Sequence, residues 1–272
     1  MGILVERKHR VLNVTLNRPE KRNALNTEMS AAIVNAIRRA QDDEHVGSIL
    51  LSADGPVFCS GMDVDEALTS SHEQLANLHG DLFSIGFHSK KPIIVAVCGA
   101  AYGGGMGLVA QGHIVLASEN AVFGLTEIRI GMWPFMVYRS VEAAIGARRT
   151  LELALSGRTF DAHYAQRWAL VHYVCPPTET YDRAQGVARD VAKGSPAAIA
   201  AGLEYYHRSR GKSWEEAGDL AAQLRVKVME SDDIREGFDA FRQRREPQWP
   251  SMPREFYHKK QKDPAPSGKN GT

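Results

Sequence analysis

The stretch Pro92 to Gly107, P-I-I-V-A-V-C-G-A-A-Y-G-G-G-M-G, constrains this chain more than any other. Pro92 opens a β-branched apolar run, Ile93 to Val97, whose unbroken hydrophobicity predicts a strand buried on both faces. A turn of small residues leads to Gly103, Gly104 and Gly105, and then to the helical start Met106, Leu108, Val109. Three successive glycines at a strand-to-helix junction lose much backbone entropy on folding, so something must approach that backbone closely. The first turn of a helix presents unpaired N–H groups and the positive end of its dipole, which suits an anionic or polarised oxygen. Three readings follow: an oxyanion hole, a phosphate cradle, or a tight packing corner.

Around this stretch the chain alternates strands and helices up to about residue 180, and is helical in pattern beyond it. Val11 to Leu16 reads as a strand. A helix starts near Asn26 or Thr27, either of which can cap it, with Met29, Ile33 and Ile37 on its apolar face. Ile49–Leu51, Ala121–Phe123 and Leu170–Val174 read as short strands. A helical pattern runs through Leu75, Leu78, Leu82 and Phe83, and others lie at Arg139 to Ile145 and Arg148 to Leu155. Ser195-Pro196 opens a C-terminal helix, Ser213-Trp214-Glu215-Glu216 is a capping box, and Asp232-Asp233 begins a third helix. From Pro247 onward Pro, Lys and Gly dominate, predicting a mobile tail. This order implies an α/β core with a helical C-terminal unit.

Composition narrows the function classes. The 272 residues are 43% hydrophobic and 24% charged, ordinary for a globular protein. A formal net charge of +1 argues against a general nucleic-acid binder. No apolar run reaches the roughly 18 residues of a membrane span. The charges Glu6, Arg7, Lys8 and Arg10 interrupt any signal-peptide core. The three cysteines, Cys59, Cys98 and Cys175, form no C-x-x-C pair and suggest buried thiols in a reducing compartment. A cytoplasmic location is expected, without nucleic-acid or membrane partners.

Gly105-x-Gly107-x-x-Ala110 fits the dinucleotide fingerprint after a strand. The helix is short, however, and Glu119 arrives sooner than a ribose-binding acid should. No Gly-Lys-Ser/Thr follows, so the P-loop is excluded. Acyl transfer needs two convergent N–H donors and a nearby acid or base. Two small-residue turns, Ser60-Gly61 and Gly104, offer the donors. Glu127, between the apolar Leu125 and Ile128, is the carboxylate whose burial would raise its pKa toward a proton shuttle; taken alone, a solvated loop carboxylate is the plainer reading. No metal-ligand spacing occurs, and there is no Gly-x-Ser-x-Gly elbow.

Phe58-Cys59-Ser60-Gly61-Met62-Asp63, Gly99-Ala100-Ala101-Tyr102-Gly103-Gly104-Gly105-Met106-Gly107 and Ala121-Val122-Phe123-Gly124-Leu125-Thr126-Glu127-Ile128 stand in the order seen in the enoyl-CoA hydratase/isomerase family, the crotonases. Leu16-Asn17-Arg18-Pro19 with Asn23-Ala24-Leu25, Gly157-Arg158 with Ala165, and Glu236-Gly237-Phe238 add to the match. The resemblance spans roughly residues 3 to 249.

The resemblance implies an α/β fold of crotonase-like type: a core of repeated ββα units over 1–194, a helical trimerisation unit over 195–249 that assembles trimers or hexamers, and a mobile tail over 250–272. It implies an acyl-CoA thioester substrate and no cofactor. The thioester oxygen would sit between the N–H groups of Ser60 and Gly104, with Glu127 moving protons. The Arg22 to Ala24 loop and Cys59 would touch CoA through backbone atoms. Arg244 is a candidate phosphate or ribose contact; the alternative for the Arg242, Arg244, Arg245 cluster is a solvated helix face.

One departure bears on the reaction. Family hydratases carry two glutamates, and the position of the first is here Gly107. A single carboxylate suits migration of a double bond from 3-enoyl to 2-enoyl thioester, which is slightly favoured over hydration; an acyl-CoA-binding member without catalysis is the further alternative. Asp63, Asp65 or Glu66 could replace the missing glutamate, although Asp63 is more often a structural partner. Trp133-Pro134-Phe135-Met136 is an apolar pocket wall or, the reading preferred here, core packing. His113 is read as structural, and His72, His79 and His88 as surface residues.

Overall fold

The computed structural model describes residues 2–69 and 71–258. The chain opens with a hairpin of β1 (Ile3–Lys8) and β2 (Val11–Leu16), and then α1 (Thr27–Asp42). Asn26 caps α1, its side-chain oxygen accepting from Met29 N at 2.9 Å, and Met29, Ile33 and Ile37 are buried as their spacing predicts. Three turns of one design follow. The first is β3 (Ser48–Ala53), β4 (Val57–Cys59) and the helices α2 (Val64–Ala67), α3 (His72–Leu82) and α4 (Ile85–His88). The second is β5 (Ile93–Val97), β6 (Ala100–Tyr102) and α5 (Gly104–Ala110). The third is β7 (Ile114–Ser118), β8 (Val122–Gly124), α6 (Phe135–Ile145) and α7 (Ala147–Ser156). β9 (Thr159–Asp161), α8 (Ala162–Arg167), β10 (Tyr173–Cys175) and α9 (Thr180–Val191) complete the core. Beyond them lie α10 (Pro196–Arg208), α11 (Trp214–Met229), α12 (Asp232–Gln243) and α13 (Glu255–His258).

Each ββα turn gives its first strand to one sheet and its second to another. The larger sheet has the order β1-β2-β3-β5-β7-β10, parallel from β2 onward, and the smaller has the order β4-β6-β8-β9. All five residues of β5 are buried. Ile93, Val95 and Val97 face the main core, while Ile94 and Ala96 face Ala184 and Ala188 of α9. A one-residue slip would exchange those faces, and each misplaced Ile or Val would lose about 1.5–3 kcal/mol of burial, so the register is well determined.

Three expectations change. The strand at 170–174 is displaced to Tyr173–Cys175, because the Leu170 and Val171 N–H groups donate to the Ala165 carbonyl and close α8 instead. β1 escapes a reading based on apolar runs, since five of its six residues are exposed on an edge strand. The mobile tail does not begin at 250. Ser251 binds the Asp233 carboxylate through its N–H (3.0 Å) and hydroxyl (2.6 Å), Met252 is buried, and the Trp249 indole donates to the Lys193 carbonyl at 2.7 Å. Residues 259–272 lie outside the described residues.

Candidate active site

A cavity of about 340 Å3 opens where the first and second turns meet the segment after β8. Glu127 begins a single helical turn, Glu127–Ile130, held by the buried Leu125 before it and closed by Gly131 in the left-handed region at φ 77°. Among the described residues its carboxylate is the only one lining the cavity. Burial raises it above the usual carboxylate range, and a hydrogen bond within its own residue pulls weakly the other way. Its Oε2 atom is shielded from water and has no hydrogen-bond partner. A buried acceptor without a donor is costly in the ionised state, which is how a carboxylate becomes a proton carrier near neutral pH.

The glycine turn lies against this carboxylate. Gly103 has φ 52° and ψ −115°, and a β-carbon there would stand 3.0 Å from Glu127 Oε1. Glycine is needed on both counts. Gly104 follows as the first residue of α5, so its N–H has no partner within the helix, and none among the other described residues.

The N–H expected as the second donor is already engaged. The Ser60 N–H is taken by the Arg22 carbonyl at 3.1 Å. Leu25 forms a parallel bridge with Met62: Leu25 N donates to the Gly61 carbonyl at 2.7 Å, and Asp63 N donates to the Leu25 carbonyl at 2.9 Å. In that pattern the N–H of Met62 points away from Leu25, and it has no partner. Gly61 packs on Gly104, a β-carbon on Gly61 falling 3.7 Å from Gly104 N. Met62 and Gly104, one in each of the two touching turns, thus each present an N–H without a partner among the described residues, and both residues line the cavity.

Gly107 is filled space. A β-carbon there would fall 2.4 Å from Val137 Cγ1 and 2.9 Å from Phe83 Cδ1, so no glutamate fits without movement of both neighbours. None of the three substitute acids reaches the cavity. Asp63 is paired with Arg18 at 3.1 Å, whose guanidinium also donates to the Ala24 carbonyl at 2.7 Å. Asp65 faces Lys21 on the surface, and Glu66 accepts from the Thr27 N–H at 2.7 Å.

The remaining candidates divide. Cys59 is fully buried, its thiol pushed up to about 12 by burial. Arg22 is exposed beside Ser60, while the Ala24 carbonyl is engaged by Arg18. Arg244 caps α12 in the left-handed region at φ 53°, exposed and away from the cavity lining; Arg242 and Arg245 pair with Asp239 and Glu236. Trp133, Pro134, Phe135 and Met136 all line the cavity, so the pocket-wall reading replaces core packing. His113 is structural, its Nδ1 accepting from Ile93 N at 2.9 Å. His72 and His88 are exposed, whereas His79 is buried and lines the cavity, tilted on Phe83 with ring centroids 5.6 Å apart. Burial lowers its pKa, favouring the neutral ring. Its place was legible in the spacing, for Leu75, His79 and Phe83 recur every four residues on one helix face.

Among the described residues no group of three or more His, Cys, Asp or Glu can hold a metal, and no helix is long and apolar enough to cross a membrane.

The model of the enoyl-CoA hydratase/isomerase family matches residues 6–252. A probable enoyl-CoA hydratase of Mycobacterium tuberculosis is 32% identical over 257 residues, covering 91% of this chain and 97% of the relative. The mevalonyl-coenzyme A hydratase of Aspergillus fumigatus is 33% identical, covering 88% and 91%. The crystal structure of an enoyl-CoA hydratase from Mycobacterium smegmatis superimposes with a TM-score of 0.86 at 28% identity, covering 92% of this chain and 99% of that one. With its spiral of ββα turns and this run of matches, the chain belongs to the enoyl-CoA hydratase/isomerase family and is an enzyme of that type.

Proposed function

We propose that the protein moves the double bond of an acyl-CoA thioester from the 3-enoyl to the 2-enoyl position. The thioester oxygen accepts from the Met62 and Gly104 N–H groups, and the enolate formed on loss of a C2 proton is stabilised there. Glu127 takes that proton as carboxylate and, as the neutral acid, returns it at C4 while the double bond shifts to C2–C3. Charge and protons balance, and one carboxylate suffices.

The observation that carries this reading is the packing at Gly107. Addition of water to a 2-enoyl thioester is served by a second carboxylate that orients the water. Here Val137 and Phe83 occupy that space, and Asp63, Asp65 and Glu66 are engaged elsewhere. The cavity wall of Trp133, Phe135, Met136 and Val137 further favours a dry, apolar acyl site.

Hydration is the second reading, favoured by the names of the relatives. A panel of 2- and 3-enoyl-CoAs, assayed separately for water addition and for bond migration, decides between them. Migration without hydration supports the proposal, and hydration as the faster reaction refutes it. Acyl-CoA binding with no product would identify a binding protein. We also propose assembly into trimers or hexamers through the C-terminal unit, where Trp214 and Phe241 are 89% and 84% exposed. A stable monomer in sedimentation would contradict it.

A further inference from the structure

At the far end of the larger sheet lies a second cavity, of about 140 Å3, with an opposite character. It sits where α1 ends, where Val46 and Gly47 lead into β3, and where Gly194 leads into α10. Ser60 and Met62 follow the other end of β3 by way of β4. The six residues of β3 span about 20 Å, so the two cavities are separate.

Arg10 lines this cavity and is only 6% exposed. Its Nε and Nη1 atoms are shielded from water and have no hydrogen-bond partner among the described residues. The Phe256 ring covers one face of the guanidinium, 5.3 Å from ring centroid to Cζ. That contact serves the face of the group and leaves its in-plane N–H donors unmatched. The nearby Asp43 carboxylate is turned to His45, accepting from its backbone N at 2.8 Å and meeting its Nδ1 at 3.3 Å. Lys91 also lines the cavity, and its ammonium donates only to the neutral carbonyls of Asp43 (3.0 Å) and Val46 (2.6 Å). Lys90 stands at the rim with a loose 3.7 Å contact to Asp42. Gly194 and Pro196 bring the start of α10 to the same space, its cap residue Ser195 accepting from Ala198 N at 3.1 Å and donating to the buried Asp233 carboxylate. Among the described residues no carboxylate lines the cavity.

An arginine cannot shed its charge as a carboxylate can, so its burial without a counter-ion is strongly unfavourable. From the unpartnered guanidinium and the two lysines, we propose that this cavity binds a small tetrahedral oxyanion, a phosphate group. The volume corresponds to about four or five water molecules, room for a phosphate group. A bound phosphate would bridge the β1–β2 turn, the end of α1 and the start of α10, tying the C-terminal unit to the core. The site is independent of the acyl-CoA reaction.

The test is calorimetric titration of the full chain with inorganic phosphate at constant ionic strength, with CoA present to fill the acyl-CoA site, alongside thermal unfolding. Saturable binding and a Tm that climbs with phosphate but not with chloride are expected. Arg10→Met should lose both responses while turnover on enoyl-CoA stays within about twofold of wild type. Should Arg10→Met fail to fold, Lys90→Glu should weaken phosphate binding by about tenfold. Sulfate and a phosphomonoester serve as further probes: a matching response to sulfate points to a free ion, and tighter binding of the phosphomonoester points to a metabolite, both supporting an oxyanion site. Equal responses to phosphate and chloride, or phosphate binding that persists unchanged in Arg10→Met and Lys90→Glu, would overturn the proposal.

Discussion

The two cavities each hold a charge-bearing side chain that is buried without a partner, and they solve the problem in different ways. At one end of the sheet, Glu127 has an unmatched Oε2 atom in an apolar pocket. At the other, Arg10 has unmatched Nε and Nη1 atoms beside two lysines. A carboxylate can relieve its burial by taking a proton, and burial raises the Glu127 pKa in that direction. A guanidinium stays charged at any relevant pH, so relief must come from outside as an anion. The same unfavourable placement therefore points to proton transfer in one site and ligand capture in the other.

The largest expected effect falls on the first cavity. Glu127→Gln should lower turnover by about 10²- to 10⁴-fold, the scale of general acid–base catalysis, and steady-state kinetics on the enoyl-CoA panel would show it. Undiminished activity would remove Glu127 from the mechanism. Because the folded-state pKa is raised, the wild-type protein binds more protons folded than unfolded through that window. Its stability should fall as pH rises from the unfolded to the folded value, and chemical denaturation should show that slope flattened in Glu127→Gln. The acid limb of kcat/KM should likewise lie above that of an ordinary glutamate.

Next comes the assignment of the donors. Replacing the amide of residue 62 with an ester, which deletes its N–H, should reduce turnover by about 10²- to 10³-fold. The same change at residue 60 removes only the bond to the Arg22 carbonyl and should act through stability. The reverse ranking would restore Ser60 as the donor.

Gly107→Glu should not create a hydratase. Crowding against Val137 and Phe83 should lower stability by about 1–3 kcal/mol, measured by denaturant titration. Faster hydration in this variant with unchanged stability would show that the space is open after all.

The smallest effect is expected for Arg10→Met in phosphate-free buffer. Exchanging an unpaired buried cation for an apolar side chain of similar length should leave stability within about 1 kcal/mol of wild type, or above it. A large loss in that buffer would mean that Arg10 is satisfied by the protein alone, and the contrast between the cavities would collapse.

These contrasts were unevenly legible in the amino-acid sequence. Strand β5, the glycine turn and Glu127 could be read locally, because burial on both faces and tight turns leave their mark in adjacent residues. The choice between Ser60 and Met62 could not, since it depends on a bridge to Leu25, 37 residues earlier. The absence of a glutamate at 107 was visible, but its replacement by Phe83 and Val137 is a matter of packing between α3, α5 and α6. His79 was misjudged as a surface residue despite its four-residue spacing from Leu75 and Phe83. Arg10 drew notice only as a charge that breaks an apolar run, and its burial depends on Gly47, Phe256 and the start of α10.

The pairing of β4 with β6 has one more consequence. Met62 follows β4 and Gly104 follows β6, and these strands are parallel neighbours in the smaller sheet. Adjacent strands stand about 4.8 Å apart, a width across which two donors can reach a single oxygen. In the proposed mechanism the ladder thus acts as a ruler for the gap between the two N–H groups. Insertions in the segments between one turn of the spiral and the next can reshape the acyl pocket freely, because none of them alters the rung on which the two N–H groups are mounted.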